Sequence, residues 1–183
     1  MDYYQTVRLK DGWECVLRSA TAEDAAAALE NFILTHEQTD FLTSYPDEIV
    51  CTVEKEAQLL QRKAESEKDA EILAELDGKV VGLAGIDRIG RAEKTSLRAN
   101  FGISIDREYW GLGIGRALTR ACIACAEKAG YKQLELEVVA ENDRAVALYK
   151  SEGFTEYGRN PLGFCSRTAG WQALILMRLE LNK

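Results

Sequence analysis

Residues 101–130 constrain the fold of this chain more than any other stretch. Their sequence, FGISIDREYWGLGIGRALTRACIACAEKAG, runs from an apolar strand through a glycine-rich turn into a helix with one apolar face. Gly111, Gly113 and Gly115 leave the backbone without Cβ atoms, so amide N–H groups can converge on an anion at the positive N-terminal end of the helix. The stretch predicts a strand, a phosphate-binding turn and a crossover helix that Gly130 ends.

The spacing of the glycines argues against two common phosphate-binding motifs. Arg116 and Ala117 follow the last glycine, so the turn lacks the Lys-Ser or Lys-Thr pair of a GxxxxGK[ST] loop. GLGIG also reads G-x-G-x-G, whereas a dinucleotide-binding fold has G-x-G-x-x-G in its first βαβ unit. A nicotinamide dinucleotide therefore fits this turn poorly.

The composition predicts one globular domain over residues 1–183. With 183 residues, of which 46% are apolar, the chain can bury one sizeable core but is short for two. It has no run of about 18 apolar residues, and its first residues, MDYYQTVRLKDGWE, do not resemble a secretory signal. We therefore expect a cytoplasmic protein that does not interact with a membrane.

The charge and the cysteines argue against other classes of protein. A net charge of −7 opposes non-specific binding to nucleic acid and is compatible with a cationic partner such as an amine. Five scattered cysteines do not form a disulfide framework, and Cys122 and Cys125 lie in mid-helix among alanines. Because His36 is the only histidine, metal ligands are few. We expect neither a metal site nor a nucleic-acid partner.

The first half of the chain predicts strands, two helices and then a hairpin. Two short strands within residues 3–18 precede a helix from Thr21 to about His36 and a second helix over residues 47–68. Strands near 70–76 and 79–87 follow, and the Asp-Gly pair between them is a strong hairpin signal.

The second half continues the antiparallel run and adds one parallel strand. Residues 97–105 form a strand that enters the glycine turn, and residues 133–139 form a strand parallel to it after the crossover helix. Strands at about 154–158 and 171–181 flank a predicted loop over 159–170. The expected fold class is mixed α/β (α+β): a mostly antiparallel twisted sheet with one parallel βαβ crossover and helices on both faces.

Two motifs resemble those of the GNAT superfamily of acetyl-CoA-dependent N-acetyltransferases. Residues 110–115, WGLGIG, are similar to the family's [RQ]-x-x-G-x-[GA] pyrophosphate loop, with Trp110 in the place usually held by Arg or Gln. Residues 142–154, NDRAVALYKSEGF, are similar to the family's N-x-x-A-x-x-L-Y-x-x-x-G-F segment, a short helix that Asn142 caps and Gly153 ends. The resemblance covers nearly the whole chain and implies acetyl-CoA as the acetyl donor and an amine as the acceptor.

The resemblance also implies where acetyl-CoA binds: in a gap between the strand before the glycine turn and the strand after the crossover helix. Residues 102–105 and 136–139 would form the walls, and backbone groups of the first wall would hydrogen-bond the pantetheine amides like an added strand. The implied cofactor-binding residues are Ile103, Ser104 and Ile105 on the strand, and Leu112, Gly113, Ile114, Gly115, Arg116 and Ala117 at the pyrophosphate.

Asn142 and Tyr149 are seven residues apart, two helical turns, and so share one face of the short helix. In the family, the residue matching Asn142 bonds the cofactor and the residue matching Tyr149 protonates the departing CoA thiolate. Each residue also has a purely structural alternative, Asn142 as the N-cap and Tyr149 as a core residue. For Tyr149 the flanking motif favours the role of general acid.

The general base stays unassigned. An alkylamine with a pKa of about 10.4 is mostly protonated at pH 7. Deprotonating it costs roughly 4.6 kcal/mol, so a base or a water path to one is expected. The family's usual Glu position corresponds to Ala99, and Glu137 and Glu75 are the conceivable replacements. In the last strand, Ala173 stands four residues before Met177, where relatives often carry Asp.

These departures leave two functions open. The first is an N-acetyltransferase that moves acetyl from acetyl-CoA to a primary amine of a small molecule or peptide by direct attack in a ternary complex. The second is a non-catalytic acyl-CoA-binding or sensor module with the same fold. A homodimer is compatible with either.

Overall fold

The computed structural model describes residues 1–90 and 92–181. Within them, four α-helices pack on one eight-stranded sheet. The strands are β1 (Tyr4–Arg8), β2 (Glu14–Ser19), β3 (Ala70–Leu76), β4 (Lys79–Arg88), β5 (Arg98–Ile105), β6 (Gln133–Val139), β7 (Thr155–Ser166) and β8 (Gly170–Glu180). The α-helices are α1 (Ala25–Gln38), α2 (Val53–Glu65), α3 (Ile114–Lys128) and α4 (Asp143–Ser151). None of them is long and apolar enough to cross a membrane.

The strands lie in the order β1-β2-β3-β4-β5-β6-β8-β7, and only β5 and β6 run parallel. The connection between those two strands is α3, as a parallel pair requires. The β3–β4 hairpin turns at Asp77 and Gly78, whose φ angles of 48° and 78° are both positive, as the Asp-Gly signal predicts. The predicted mostly antiparallel sheet with one parallel crossover is confirmed.

Helices cover both faces of the sheet because side chains alternate along each strand. On β3, Ile72 and Ala74 belong to a buried cluster with the apolar face of α3, whereas Leu73 belongs to a second cluster with residues of α1 and α2. On the second face, Lys63 of α2 is almost fully buried and contacts the Glu71 carboxylate at 2.9 Å. These two layers hold the central strands rigidly and so position the turn that follows β5.

The predicted second helix begins too early in the sequence and ends too late. Residues Pro46–Glu48 form a separate 3-10 turn, and α2 begins only at Val53. Thr52 starts it as the N-cap, because its side chain accepts a hydrogen bond from the Lys55 N–H at 3.3 Å. The acidic residues after Pro46 resemble a helix start but cap only one turn.

The predicted loop over 159–170 is wrong. β7 continues to Ser166 and pairs with β8 down to a tight turn before Gly170. The ladder is irregular between Asn160 and Phe164, where Pro161 has no N–H to donate. Because β7 is the edge strand of the sheet, it tolerates a proline that a central strand would exclude.

Arg18 on β2 joins the sheet to the start of α1. Its guanidinium contacts the Asp24 carboxylate at 2.7 Å and the Glu75 carboxylate at 2.9 Å. The hydrogen bond from Arg18 lowers the pKa of Asp24 to about 2. A carboxyl whose pKa is lower in the folded protein stabilises it above the unfolded pKa, and this stabilisation is lost as the pH falls toward the folded pKa.

We therefore expect Asp24→Asn to lower the free energy of unfolding by about 1 kcal/mol at pH 7, less than the full pKa difference because the pair is partly solvated. The difference from wild type should shrink as the pH is lowered from 5 to 3. Urea unfolding at several pH values measures it. A difference that stays constant across this range would show that Asp24 acts through helix capping and not through its charge.

Candidate active site

The parallel strands β5 and β6 separate after a short paired stretch. Residues 98–100 pair with residues 133–135, and no β5–β6 pair follows among the described residues. Beyond that point β5 stays paired with β4 as far as Ile105, and β6 stays paired with β8 as far as Val139. A gap therefore opens between the two strands at the place that the family resemblance implies, with Ile105 and Val139 near its open end.

The turn after β5 has the geometry of an anion-binding cradle. Gly111 and Gly113 have φ angles of 88° and 105°, a left-handed conformation that favours glycine. The first helical hydrogen bond of α3 runs from the Ala117 N–H to the Gly113 carbonyl at 3.1 Å. The amides of residues 114–116 precede it and so have no acceptor within the helix. They point out of the helix N-terminus, where the dipole favours a negative charge.

The lack of a side chain at Gly115 serves packing, while its N–H belongs to the cradle. A Cβ there would lie 3.2 Å from Leu148 Cδ2 and 3.3 Å from Ile105 Cδ1, so glycine lets α3 approach α4 and β5 closely. Arg116, predicted to face the pyrophosphate, contacts the Glu152 carboxylate at 2.8 Å through Nε. Its guanidinium therefore lies at the C-terminal end of α4, and its backbone N–H is the part that belongs to the cradle.

Tyr149 lies on the buried side of α4 and is only 8% exposed. Its ring packs edge-on against Phe101 at 6.1 Å between centroids and against Phe154 at 5.9 Å. Phe101 is the first residue of β5 beyond the paired stretch, so the phenol lies at the gap. Burial raises the pKa of Tyr149, and no hydrogen-bond partner for its hydroxyl lies within residues 1–90 and 92–181. The phenol thus stays protonated at neutral pH and can donate.

Asn142 is the N-cap of α4, as predicted. Its side-chain oxygen accepts a hydrogen bond from the Ala145 N–H at 3.3 Å, and its own N–H donates to the Val139 carbonyl at 2.9 Å. The cap fixes α4 directly after β6, at the open end of the gap. A contact from the remaining amide nitrogen to a cofactor stays a prediction.

The carboxylates named as conceivable bases lie in different surroundings. Glu75 lies on β3, two strands away from β5, and forms an ion pair with Arg18 of β2. Glu137 is exposed on β6 and has no ion-pair partner among the described residues. Because Leu136 and Val138 are buried in the same cluster as Tyr149, alternation places Glu137 on the opposite face of the sheet. The gap is therefore bordered by a phenol on one face and a carboxylate on the other.

Ala99, at the family's usual Glu position, is fully buried in the cluster that contains α3. Its side chain points away from the face that carries Glu137, so a carboxylate at this position would be buried in the apolar core. A Glu at position 99 would therefore lie on the other face of the sheet from Glu137.

The tip of the β7–β8 hairpin docks on the segment after α1, on the same face as Glu137. Thr168 Oγ1 donates to the Asp40 carboxylate at 2.7 Å. Arg167 donates to Asp47 at 2.8 Å and lies over the Tyr45 ring, 4.0 Å from its centroid. These polar contacts bring the hairpin tip and the segment after α1 together.

Arg144 was not singled out by the sequence patterns. Its guanidinium carbon lies 4.8 Å from the centroid of the Trp110 ring, next to the cradle. The sequence places Arg144 in the first turn of the helix that Asn142 caps. It does not predict the contact between Arg144 and the loop.

A glycine cradle at the head of a crossover helix, next to a parallel strand pair that opens, is typical of α+β domains that bind phosphate-bearing ligands. The model of the acetyltransferase (GNAT) family matches residues 31–154. The chain belongs to this family.

Curated proteins resemble about half of the chain. The chain is 42% identical over 81 residues to the N-alpha-acetyltransferase RimI of Mycobacterium tuberculosis, which spans 44% of this chain and 49% of that protein. It is 40% identical over 84 residues to the [ribosomal protein bS18]-alanine N-acetyltransferase of Escherichia coli K12, which spans 45% of this chain and 55% of that protein. The chain thus matches about half the length of these relatives.

Solved structures agree over most of the chain. A GNAT-family acetyltransferase from Streptococcus pneumoniae superposes with a TM-score of 0.88 at 28% identity, covering 91% of this chain and 99% of that one. A structure from Salmonella typhimurium solved with acetyl-CoA gives a TM-score of 0.81 at 19% identity, covering 92% and 95%. At 19% identity, the similarity to the Salmonella typhimurium structure shows a shared fold.

Proposed function

We propose that this protein transfers an acetyl group from acetyl-CoA to a primary amine by direct attack in a ternary complex. The observation that carries the proposal is the gap between β5 and β6, with the Tyr149 phenol on one face, Glu137 on the other and the cradle at its end. The similarity to curated proteins that are named as N-acetyltransferases supports it.

The residues at the gap fit acetyl-CoA. A Cβ built on Gly113 meets no atom within 4 Å, so the space in front of the cradle is open to a ligand. The amides of residues 114–116 offer donors to a pyrophosphate, and the free edge of residues 103–105 offers backbone groups to the pantetheine amides. The bound thioester supplies an activated acetyl group next to Tyr149.

Direct transfer is favoured because the two thiols on α3, the helix that begins at the end of the gap, are buried. Cys122 and Cys125 are buried in the core on α3, and burial raises the pKa of both thiols. A buried, protonated thiol is a poor nucleophile. The amine itself therefore attacks, Glu137 removes its proton directly or through water, and Tyr149 protonates the leaving thiolate.

The relatives' names direct the search for the acceptor. Both name an N-terminal or α-amino group as the acetylated position, and an α-amine has a pKa of about 7.7–8.0 against about 10.4 for a lysine side chain. An α-amine is thus available at neutral pH with little help, which suits an exposed carboxylate as the base. We therefore propose peptide α-amines as the first acceptors to test.

Release of free CoA thiol tests the function. We expect turnover with at least one peptide α-amine in a panel that also contains lysine side chains, polyamines and aminoglycosides, and mass spectrometry should show one acetyl group on the product. CoA binding by calorimetry without turnover on any acceptor would support the non-catalytic acyl-CoA-binding module instead. Absence of CoA binding would exclude both functions.

Glu137→Gln tests the base. We expect roughly a thirtyfold loss of kcat at pH 7, below the usual range for acid–base groups because water can reach the exposed site in place of the carboxylate. The loss should shrink toward pH 10, where the amine loses its proton unaided. Glu127→Gln, the same charge change on the exposed face of α3, is the control and should be neutral. A pH–rate profile identical to that of wild type would remove Glu137 from the mechanism.

A further inference from the structure

Trp110 opens the phosphate-binding loop without offering a donor to an anion. Its indole N–H donates to the Ile105 carbonyl at 2.8 Å, which fixes the ring at the end of β5. Trp has only this one polar hydrogen. The side chain at the first position of the loop therefore contributes a flat apolar surface where the related motif has a basic or amide group.

Arg144 lies against that surface. Its guanidinium carbon is 4.8 Å from the Trp110 centroid, and a Cβ built on Gly111 would lie 3.5 Å from its Nη2. Stacking on an aromatic face holds a guanidinium flat and leaves its edge N–H groups free for a second partner. The first turn of α4 thus brings a cation to the loop from the side.

Three other cations of this region are engaged elsewhere. Arg116 and Arg120 both contact Glu152, each at 2.8 Å. Lys79 contacts Asp106 at 3.2 Å. Within residues 1–90 and 92–181, no carboxylate lies within 4 Å of the Arg144 guanidinium. Arg144 is therefore the arginine next to Gly111 whose donors are not committed to a carboxylate of the described chain.

We propose that Arg144 is a cofactor-binding residue that donates to the pyrophosphate of CoA and supplies the charge missing at Trp110. The inference rests on the proposed function. Guanidinium groups bind phosphate oxygens through short charge-assisted hydrogen bonds, and stacking on the fixed indole reduces the side-chain freedom lost on binding. The contact is formed before and during transfer alike, so it affects binding and not the chemical step.

Calorimetry with CoA and steady-state kinetics with acetyl-CoA test the proposal. Arg144→Gln should weaken CoA binding about tenfold and raise KM for acetyl-CoA by the same factor, with kcat changed less than twofold. Arg144→Lys, which keeps the charge and loses the planar stack, should weaken CoA binding about threefold. Lys150→Gln, on the same helix and exposed, is the matched control and should bind like wild type.

A double-mutant cycle separates this role from a structural one. If Trp110 acts by holding Arg144, then Trp110→Leu should cost less in the Arg144→Gln background than in wild type. Thermal unfolding of Arg144→Gln should match wild type, because the guanidinium is exposed. Additive losses would show that the stack does not position the guanidinium, and this would overturn the proposal.

3′-Dephospho-CoA distinguishes the phosphates of the ligand. If Arg144 contacts the pyrophosphate, Arg144→Gln should also weaken binding of this analogue about tenfold. If Arg144→Gln binds the analogue as tightly as wild type does, Arg144 contacts the 3′-phosphate and the assignment is overturned. Wild-type affinity in Arg144→Gln would overturn it as well, with the proposed function intact. If wild type binds neither CoA nor its analogue, the proposed function itself fails.

Discussion

Gly113→Asp is expected to abolish detectable CoA binding while the domain remains folded. Gly113 has a φ of 105°, and a Cβ there meets no atom within 4 Å, so the new carboxylate would enter the open space of the cradle. A like charge opposite the pyrophosphate costs several kcal/mol, which corresponds to a loss of affinity of about a thousandfold or more. Calorimetry with CoA measures the affinity, and circular dichroism verifies the fold.

Gly113→Ala is the matched control. It introduces the same backbone strain, on the order of 1–2 kcal/mol, without the charge, and should retain measurable CoA binding. Gly115→Asp is not equivalent, because its Cβ would lie 3.2 Å from Leu148 and would disturb the packing of α3 against α4. A folded Gly113→Asp variant with the CoA affinity of wild type would show that the turn is not the pyrophosphate site.

Tyr149→Phe should lower kcat roughly a hundredfold and change KM for acetyl-CoA by less than about threefold. The phenylalanine keeps the packing against Phe101 and Phe154, and the lost hydroxyl has no hydrogen-bond partner among the described residues. The effect lies at the lower end for a general acid because a thiol, with a pKa near 8.5, leaves more easily than an alcohol. Steady-state assays with a verified acceptor measure it.

Tyr131→Phe is the control for removing a buried hydroxyl. The Tyr131 hydroxyl is buried and has no hydrogen-bond partner in the part of the chain that the structure describes; the residue precedes β6 at the paired end of the strands, away from the gap. Its loss should leave kcat unchanged and stability equal or slightly higher. A wild-type rate for Tyr149→Phe, measured where chemistry limits turnover, would make Tyr149 a packing residue and move the proton donor to an ordered water.

The elements that sequence reasoning placed well are those with strong local signals. Asp77-Gly78 specified its turn, and the alternation over residues 133–139 predicted β6 with its observed bounds. The closing hairpin was predicted, but the extension of β7 over residues 159–166 was missed because glycines in this part of the chain signal turns in isolation. In the fold, Gly158 and Gly163 leave room for side chains of β8, since a Cβ on either would lie 3.0 Å from Leu176 or Leu174. That requirement exists only once the strands are paired.

The candidate site also has a part that the sequence predicts and a part that it does not. The spacing of two motifs was enough to predict the turn at Gly113 and the helix that carries Tyr149, because each motif depends on its own helix. The partners of the arginines were not predictable: Arg116 was expected at the pyrophosphate but contacts Glu152, and Arg144 was overlooked although it lies over Trp110. Both outcomes depend on how α4 packs beside α3, which no local pattern in the chain describes.

The gap between β5 and β6 passes through the sheet, and this has a consequence for ligand traffic. Tyr149 lies on the face of α3 and Glu137 on the face of α1 and α2, so the proposed mechanism requires the two substrates to reach the gap from opposite faces of the sheet. On that mechanism, a peptide acceptor bound on one face would leave the exchange of CoA on the other face unobstructed. An inhibitor that joins CoA to an acceptor must thread its linker through the opening, so linker thickness and not only length will limit its affinity.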